Sequence, residues 1–549
     1  MRRMSQLSIA AGPTDTPLLD LTIDESLVRT VAEHGGRDAL VSCHQHIRWT
    51  YDEFADRVWK LASGMYAAGL RPGDRVGLWS PNYAEWTLVQ YATAHIGVIL
   101  VNINPAYRTH ELEYALSQSG CRWLIAAPTF KTSDYRSMAD AIRPNVASLE
   151  RLVFFWDPDW DDLCAGDPSS SNAMNVQRLG FSPDDPINIQ YTSGTTGFPK
   201  GATLTHRNIL NNGYFVTGGQ ELAAGDRLCI PVPFYHCFGM VMGNLGCTSR
   251  GITMVIPGDA FDPRAVLEAV QQERCTALYG VPTMFIAEMA LDDFADYDLS
   301  SLRTGVMAGS LCPVEVMKRC ISEMHLVDMS ICYGMTETSP VSTQTLAGDT
   351  LEHRTESVGV AHPHVEIRVV DPSTGETLPR GATGEFCTRG YSVMQGYWHD
   401  PEKTAAAIDD DGWMHTGDLA VMADDGYVNI VGRIKDMVIR GGENIYPREI
   451  EEFLYTHPDI EDVQAIGVPD EKYGEELMVW IKPKPGASFD AESVREFCSG
   501  KIAHFKIPRY VKVVDDFPMT VTGKIRKVEM RENSIAELGL TGLADAGGQ

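Results

Sequence analysis

Tyr191-Thr-Ser-Gly-Thr-Thr-Gly-Phe-Pro-Lys200-Gly201 follows the apolar run Ile187-Asn-Ile-Gln-Tyr191, and this juncture decides the reading of the fold. The run reads as a strand, and the loop after it holds four aliphatic hydroxyls, three glycines and one lysine. Glycine lets backbone N–H groups approach anionic oxygens, hydroxyls add donors, and a lysine supplies charge. Strand plus loop therefore reads as a phosphate cradle, formed by Thr192, Ser193, Gly194, Thr195, Thr196, Gly197 and Lys200, rather than as an ordinary polar turn. It is not the P-loop pattern, because two residues separate Gly197 from Lys200 and a glycine follows the lysine.

Downstream, Leu204 to Leu210 reads as a helix start with Thr205 as its N-cap. Thr276 to Gly280 reads as a short strand before a helix opened by Pro282. Upstream, the helical pattern Tyr51 to Leu70 alternates with the apolar runs Arg75 to Trp79 and Ile96 to Val101. Alternation of this kind predicts an α/β fold around largely parallel sheets. The segment Asp157 to Asp185, rich in Asp, Ser and Pro, reads as a surface connection. After Glu356 the runs Val365–Val370, Gly384–Thr388 and Gly426–Val431 predict a β-rich subdomain over about 357–432. The turn 433–436 reads as a hinge. A compact α+β domain follows over 437–535, with helices Tyr446–Thr456 and Asp490–Cys498 and strands Val463–Val468 and Leu477–Ile481. Residues 1–16 and 536–549 read as flexible ends around a large 17–432 domain.

The chain has 549 residues, and 46 basic against 74 acidic side chains leave a net charge of −28, a field that repels nucleic acid and anionic lipid surfaces. Any anionic substrate must be held by local donors. The 12 cysteines show no C-x-x-C pair, no signal-peptide core follows Met1-Arg2-Arg3, and no apolar stretch approaches the ~20 residues of a membrane span. A cytoplasmic protein without integral membrane association is expected.

The loop resembles the signature of the acyl-adenylate-forming superfamily, which includes acyl-CoA synthetases, luciferase and nonribosomal peptide adenylation domains. Further blocks follow in that superfamily's order: Tyr333-Gly-Met-Thr-Glu-Thr338, Thr416-Gly-Asp418, Gly432-Arg-Ile-Lys-Asp436, Gly441-Gly-Glu-Asn-Ile-Tyr-Pro447 and Pro518-Met-Thr-Val-Thr-Gly-Lys524. The resemblance implies a large N-terminal domain, a small mobile C-terminal domain, and ATP, Mg²⁺ and coenzyme A as reactants or cofactor. It implies that Asp418 and Arg433 hold the ribose and nucleotide, that Tyr333, beside Gly334, stacks on adenine, that Thr336 contacts the α-phosphate, and that Glu337 holds the metal. Gly309 and Ser310 would border adenine and the acyl chain, Tyr235 and His236 would line the acyl site, and His236 would join Lys524, Glu337 and Thr336 as a catalytic residue. Lys524 would stabilise charge during adenylation, and rotation about Lys435 would exchange it for the Gly441-Gly442 face beside the pantetheine tunnel. Taken by itself each is ordinary: Asp418 a turn aspartate, Arg433 and Lys524 surface charges, His236 a core histidine among aromatics.

The pattern most resembles the medium-chain fatty acyl-CoA synthetases, acyl-CoA synthetase family member two and its bacterial relatives. The expected reaction is ATP-dependent ligation of a carboxylic acid to coenzyme A through acyl-AMP, releasing AMP and pyrophosphate. Aryl-CoA ligase and fatty acyl-AMP ligase are the alternatives within the superfamily, and a non-catalytic nucleotide- or acyl-binding protein is the alternative outside it. The oligomeric state, with a homodimer among the options, is left open.

Overall fold

The computed structural model describes residues 6–170, 180–192, 199–310, 312–441, 443–519 and 525–541. The strand Pro186–Thr192 lies in a seven-stranded sheet, where it pairs in parallel with Ile99–Ile103, and Arg75–Trp79, Trp123–Ala126 and Arg151–Phe154 continue the parallel run. Most residues of these strands are buried, on both faces, because both faces of the sheet are covered. Helix Tyr51–Ala67 shows how local sequence commits: the Thr50 hydroxyl accepts from Glu53 N and the Glu53 carboxylate accepts from Thr50 N. Phe54, Val58, Leu61 and Met65 then recur at helical spacing and are fully buried.

A nine-stranded sheet holds the second parallel run, ordered Asp328–Gly334, Thr304–Ala308, Ala277–Gly280, Arg227–Cys229, Thr253–Ile256 and Asp38–Ser42, with antiparallel strands at both edges. The α/β expectation is met in both sheets. Helix Pro282–Met289 opens on its proline as read.

The described chain divides into two compact units, one of residues Ala10–Ile367 with Thr388–Met414, the other of Met1–Ile9, Arg368–Cys387 and His415 onward. The second unit contains an α+β assembly in which Ile460–Asp470 and Gly474–Pro483 form a long antiparallel hairpin, with Tyr510–Val513 parallel to the latter. Helices Pro447–Tyr455, Ala491–Cys498 and Lys527–Glu537 accompany that sheet.

Several local readings shift. Leu204 and Thr205 end the strand Lys200–Thr205, and the helix is His206–Gly219, although Thr205 is its N-cap as expected. The strand read from Gly426 begins at Val428, since Gly426 takes φ +94° in the preceding turn. The connection after Asp157 contains helix Pro158–Cys164, anchored by buried Trp160 and Leu163. Near the N-terminus Ile9–Ala11 is a strand, and Ser8 N donates to Leu378 O. No helix among the described residues is long and apolar enough to cross a membrane.

Burial pushes the imidazoles of His206 and His362 from 6.5 down to about 3. His206 Nδ1 accepts from Ile23 N, and His362 Nε2 meets Gln344 Oε1 at 3.1 Å, so both sit neutral in the core. The unfolded chain binds protons there below pH 6.5 and the folded chain does not. Each histidine therefore costs about 1.4 kcal/mol of stability per pH unit on acidification from 6.5 towards 3. His362→Gln is expected to flatten the fall in thermal midpoint between pH 7 and about pH 5; an unchanged slope would contradict the assignment.

Candidate active site

Thr192 pairs with Lys200 across the hairpin, and Tyr191 with Gly201, so the two ends of the cradle are clamped at the C-terminal end of the parallel strand. Thr192 Oγ1 donates to Lys200 O at 3.4 Å. Ligand sites of open α/β sheets lie at these strand ends. The cradle residues Ser193, Gly194, Thr195, Thr196 and Gly197 lie outside the described residues, as do Gly442 and Lys524.

The strand Lys200–Thr205 pairs on its other side with Gly396–Tyr397, which brings Tyr397 to the mouth of the loop. Lys200 Nζ lies over the Tyr397 ring, 4.8 Å from its centroid, a cation–π contact. The Tyr397 hydroxyl donates to Glu337 Oε1 at 2.8 Å, and burial together with the Glu337 charge pushes the phenol up. Glu337 is 5% exposed, sits in the short helical turn Thr336–Thr338, and forms no ion pair with a cationic side chain among the described residues. A buried carboxylate lacking a cationic partner is costly, so the site fits a hard cation such as Mg²⁺, which takes oxygen ligands. Tyr397 was not among the residues singled out by sequence; the signal for it was Gly-Tyr-Trp398, an aromatic pair directly after a glycine.

Tyr397→Phe keeps the ring under Lys200 and removes the donor to Glu337. It is expected to cost about 1–3 kcal/mol in unfolding free energy and to make stability depend more steeply on Mg²⁺. Unchanged denaturant midpoints, with and without Mg²⁺, would contradict this.

Thr304–Ala308 and Asp328–Gly334 run parallel, with Ala308 opposite Cys332, so Gly309 and Ser310 emerge beside Tyr333 and Gly334. Gly309 takes φ +94°, and an added Cβ there would stand 3.2 Å from Val281 Cγ1. Gly309, Ser310 and Gly334 are exposed, while Tyr333 and Thr336 are half-buried. His236 is held from its own backbone: Phe238 N donates to His236 Nδ1 at 3.2 Å, which puts the ring proton on Nε2. The next residues, Phe238–Leu245, form a fully buried π-helix, a wide turn often found at functional sites. Tyr235 Oη is buried and finds no partner among the described residues.

In the other unit, Asp418 and Arg433 are cross-strand partners of Met414–Met422 and Val428–Arg433. Arg433 Nε donates to Asp418 Oδ1 at 2.8 Å; the carboxylate is 6% exposed and the guanidinium lies open to solvent. Asp418 is thus a strand residue, not a turn aspartate. Lys435 is exposed in a turn where Asp436 N and Met437 N both donate to Arg433 O. Gly441 takes φ +60°, with its N–H donating to Tyr473 O.

Known proteins resemble this chain in sequence and in fold. The sequence profile of the AMP-binding enzyme family matches residues 27–398, and that of the AMP-binding enzyme C-terminal domain matches 449–524. YngI of Bacillus subtilis (strain 168), named as an acyl-CoA synthetase, is 47% identical over 544 residues, covering 95% of this chain and 99% of the relative. The mitochondrial medium-chain acyl-CoA ligase ACSF2 of Danio rerio is 45% identical over 555 residues, covering 97% and 91%. The crystal structure of the anthranilate CoA ligase AuaEII in complex with anthranoyl-AMP superposes with a TM-score of 0.86 at 26% identity, covering 95% of this chain and 98% of that one. With relatives at 45–47% identity over nearly its whole length and the family profile spanning most of it, the chain belongs to the AMP-binding enzyme family.

Proposed function

We propose that the protein is an AMP-forming acyl-CoA synthetase acting on a medium-chain fatty acid, with Mg²⁺ as cofactor and ATP and coenzyme A as co-substrates. The observation that carries the reading is Tyr397, which donates to the buried Glu337 carboxylate and carries Lys200 over its ring where the glycine- and hydroxyl-rich loop ends. Oxygen ligation by Glu337 would hold the cation, which when bound screens phosphate charge. The loop residues Thr192 to Gly197 cradle the phosphates and Lys200 faces the outer ones. Tyr397 is a positioning residue for both Glu337 and Lys200.

A carboxylate oxygen of the acid attacks the α-phosphorus of ATP, forming the acyl-phosphate bond and expelling pyrophosphate. The thiol of coenzyme A then attacks the acyl carbon, loses its proton, and AMP leaves with the original carboxylate oxygen. Asp418 accepts from the ribose hydroxyls and Arg433 steadies both it and the nucleotide. Tyr333, Gly334, Gly309 and Ser310 border adenine, Thr336 donates to the α-phosphate, and Lys524 stabilises charge at phosphorus. His236 presents Nε2–H towards the acyl site with Tyr235. The domains are 17–432 and 437–535, with Lys435 in a hinge at 433–436 that exchanges Lys524 for Gly441 and Gly442 at the pantetheine entrance. No disulfide joins the twelve cysteines, which supports a reducing compartment, the cytoplasm. Small molecules are the partners, and a homodimer is one option for assembly.

Release of pyrophosphate across straight-chain acids of graded length, with and without coenzyme A, tests this reading. Thioester formation peaking at medium chain length is expected; a preference for aromatic acids would favour the aryl-CoA ligase reading, and release without thioester the acyl-AMP ligase. Lys200→Ala is expected to weaken ATP about tenfold or more and AMP little, since AMP lacks the outer phosphates. Equal losses in titration calorimetry would mean that Lys200 only shapes the loop.

A further inference from the structure

Strands Thr383–Gly390 and Met414–Met422 carry three side chains that the proposed reaction does not use. Glu385 and Cys387 are two residues apart on one strand and so share a face. His415 Nδ1 lies 2.9 Å from Glu385 Oε2 and 3.5 Å from Cys387 Sγ, and the three ligand atoms lie within 4.8 Å of one another. Cys387 is fully buried, while Glu385 and His415 are partly open to solvent. Both contacts converge on one ring nitrogen, which has at most one proton to share between carboxylate and sulfur. A cation in place of that proton would take the carboxylate, the thiolate and the imidazole as ligands together.

We propose that Glu385, Cys387 and His415 form a binding site for a borderline divalent cation of the Zn²⁺ type. Tetrahedral Zn²⁺ with bonds of about 2.0–2.3 Å sets its N, O and S ligands about 3.3–3.6 Å apart. The His415–Cys387 separation already meets that spacing, and the His415–Glu385 pair needs to open by only a few tenths of an ångström. A thiolate and an imidazole select against Mg²⁺ and Ca²⁺, which take oxygen ligands. Three protein ligands leave a fourth position for water on the exposed side of His415. On loading, the Cys387 thiol releases its proton to solvent and the histidine proton resides on Nε2.

The site is tied to the nucleotide reading through one bond. Glu385 Oε1 accepts from Gly417 N at 3.0 Å, and Gly417 directly precedes Asp418. A cation that draws Glu385 towards Cys387 shifts this backbone, so loading weakens nucleotide binding; this half rests on Asp418 holding the ribose.

The test uses chelator-stripped full-length protein and Co²⁺ as the probe. One equivalent is expected to give the thiolate-to-cobalt charge-transfer absorption, removed by Zn²⁺. Cys387→Ser should lose the band, and His415→Gln should weaken Co²⁺ by more than about tenfold. The histidine variant, at a partly exposed position, keeps the test valid should the serine variant not fold. Absence of the band, or its persistence in Cys387→Ser, overturns the site. AMP affinity several-fold lower with Co²⁺ bound is expected, and equal affinities overturn the coupling. Failure of the stripped protein to bind AMP contradicts the proposed function instead, because the cobalt spectrum is read without nucleotide.

Discussion

Lys524→Ala is expected to slow acyl-AMP formation by about 10²–10³-fold, about 2.7–4 kcal/mol, and to leave thioester formation from supplied acyl-AMP near the wild-type rate. In the proposed reaction the Lys524 ammonium stabilises charge that exists only while phosphorus is five-coordinate, so its loss is expected to fall on that step. Lys524 and the Gly441-Gly442 pair stand at opposite ends of the C-terminal segment, separated by more than eighty residues of sequence. Under the proposed rotation, that separation would let one domain present different residues to the two half-reactions. Pyrophosphate exchange and conversion of synthetic acyl-AMP to thioester, measured separately, check the division. Equal loss in both would remove it.

Asp418→Ala is expected to weaken ATP and AMP alike, by about 1.5–3 kcal/mol or roughly 10- to 150-fold, because a charged acceptor of hydrogen bonds is lost and the ribose is common to both nucleotides. The carboxylate is nearly buried and fixed by Arg433, so it is oriented before any ligand arrives. The pattern differs in kind from that of Lys200→Ala, which separates ATP from AMP. Titration calorimetry with both nucleotides distinguishes them, and a loss confined to ATP would place Asp418 among the phosphates rather than at the ribose.

Local signals carried much of this architecture. The apolar run before the loop, the strand Arg75–Trp79 and the cap at Thr205 were legible because strand hydrophobicity and capping chemistry act over a few residues. Lys200–Thr205 was hidden: Lys-Gly-Ala-Thr-Leu-Thr has weak strand propensity, and its conformation comes from pairing with a strand on each side. Helix Pro158–Cys164 was masked by its aspartates, although Pro158 at the first turn and Trp160 with Leu163 three apart were the available clues.

The site divides in the same way. Asp418 and Arg433 fall fifteen residues apart and become cross-strand partners through a single hairpin, so their motifs are compact in sequence. Tyr397 meets Glu337 from sixty residues away, and the contact exists only because a two-residue strand docks beside the loop strand. Glu385, Cys387 and His415 escape any spacing rule for metal ligands for the same reason, since two strands contribute them. Non-local pairing of this kind leaves no periodic trace.

In the proposed reaction the carboxylate itself attacks the α-phosphorus. The direct measurement is a turnover with a medium-chain acid labelled with ¹⁸O in both carboxylate oxygens, together with ATP, Mg²⁺ and coenzyme A, followed by mass spectrometry of the nucleotide and the pyrophosphate. An acyl-AMP route predicts AMP carrying one heavy oxygen and unlabelled pyrophosphate. Unlabelled AMP, or ADP with the label in inorganic phosphate, would contradict it.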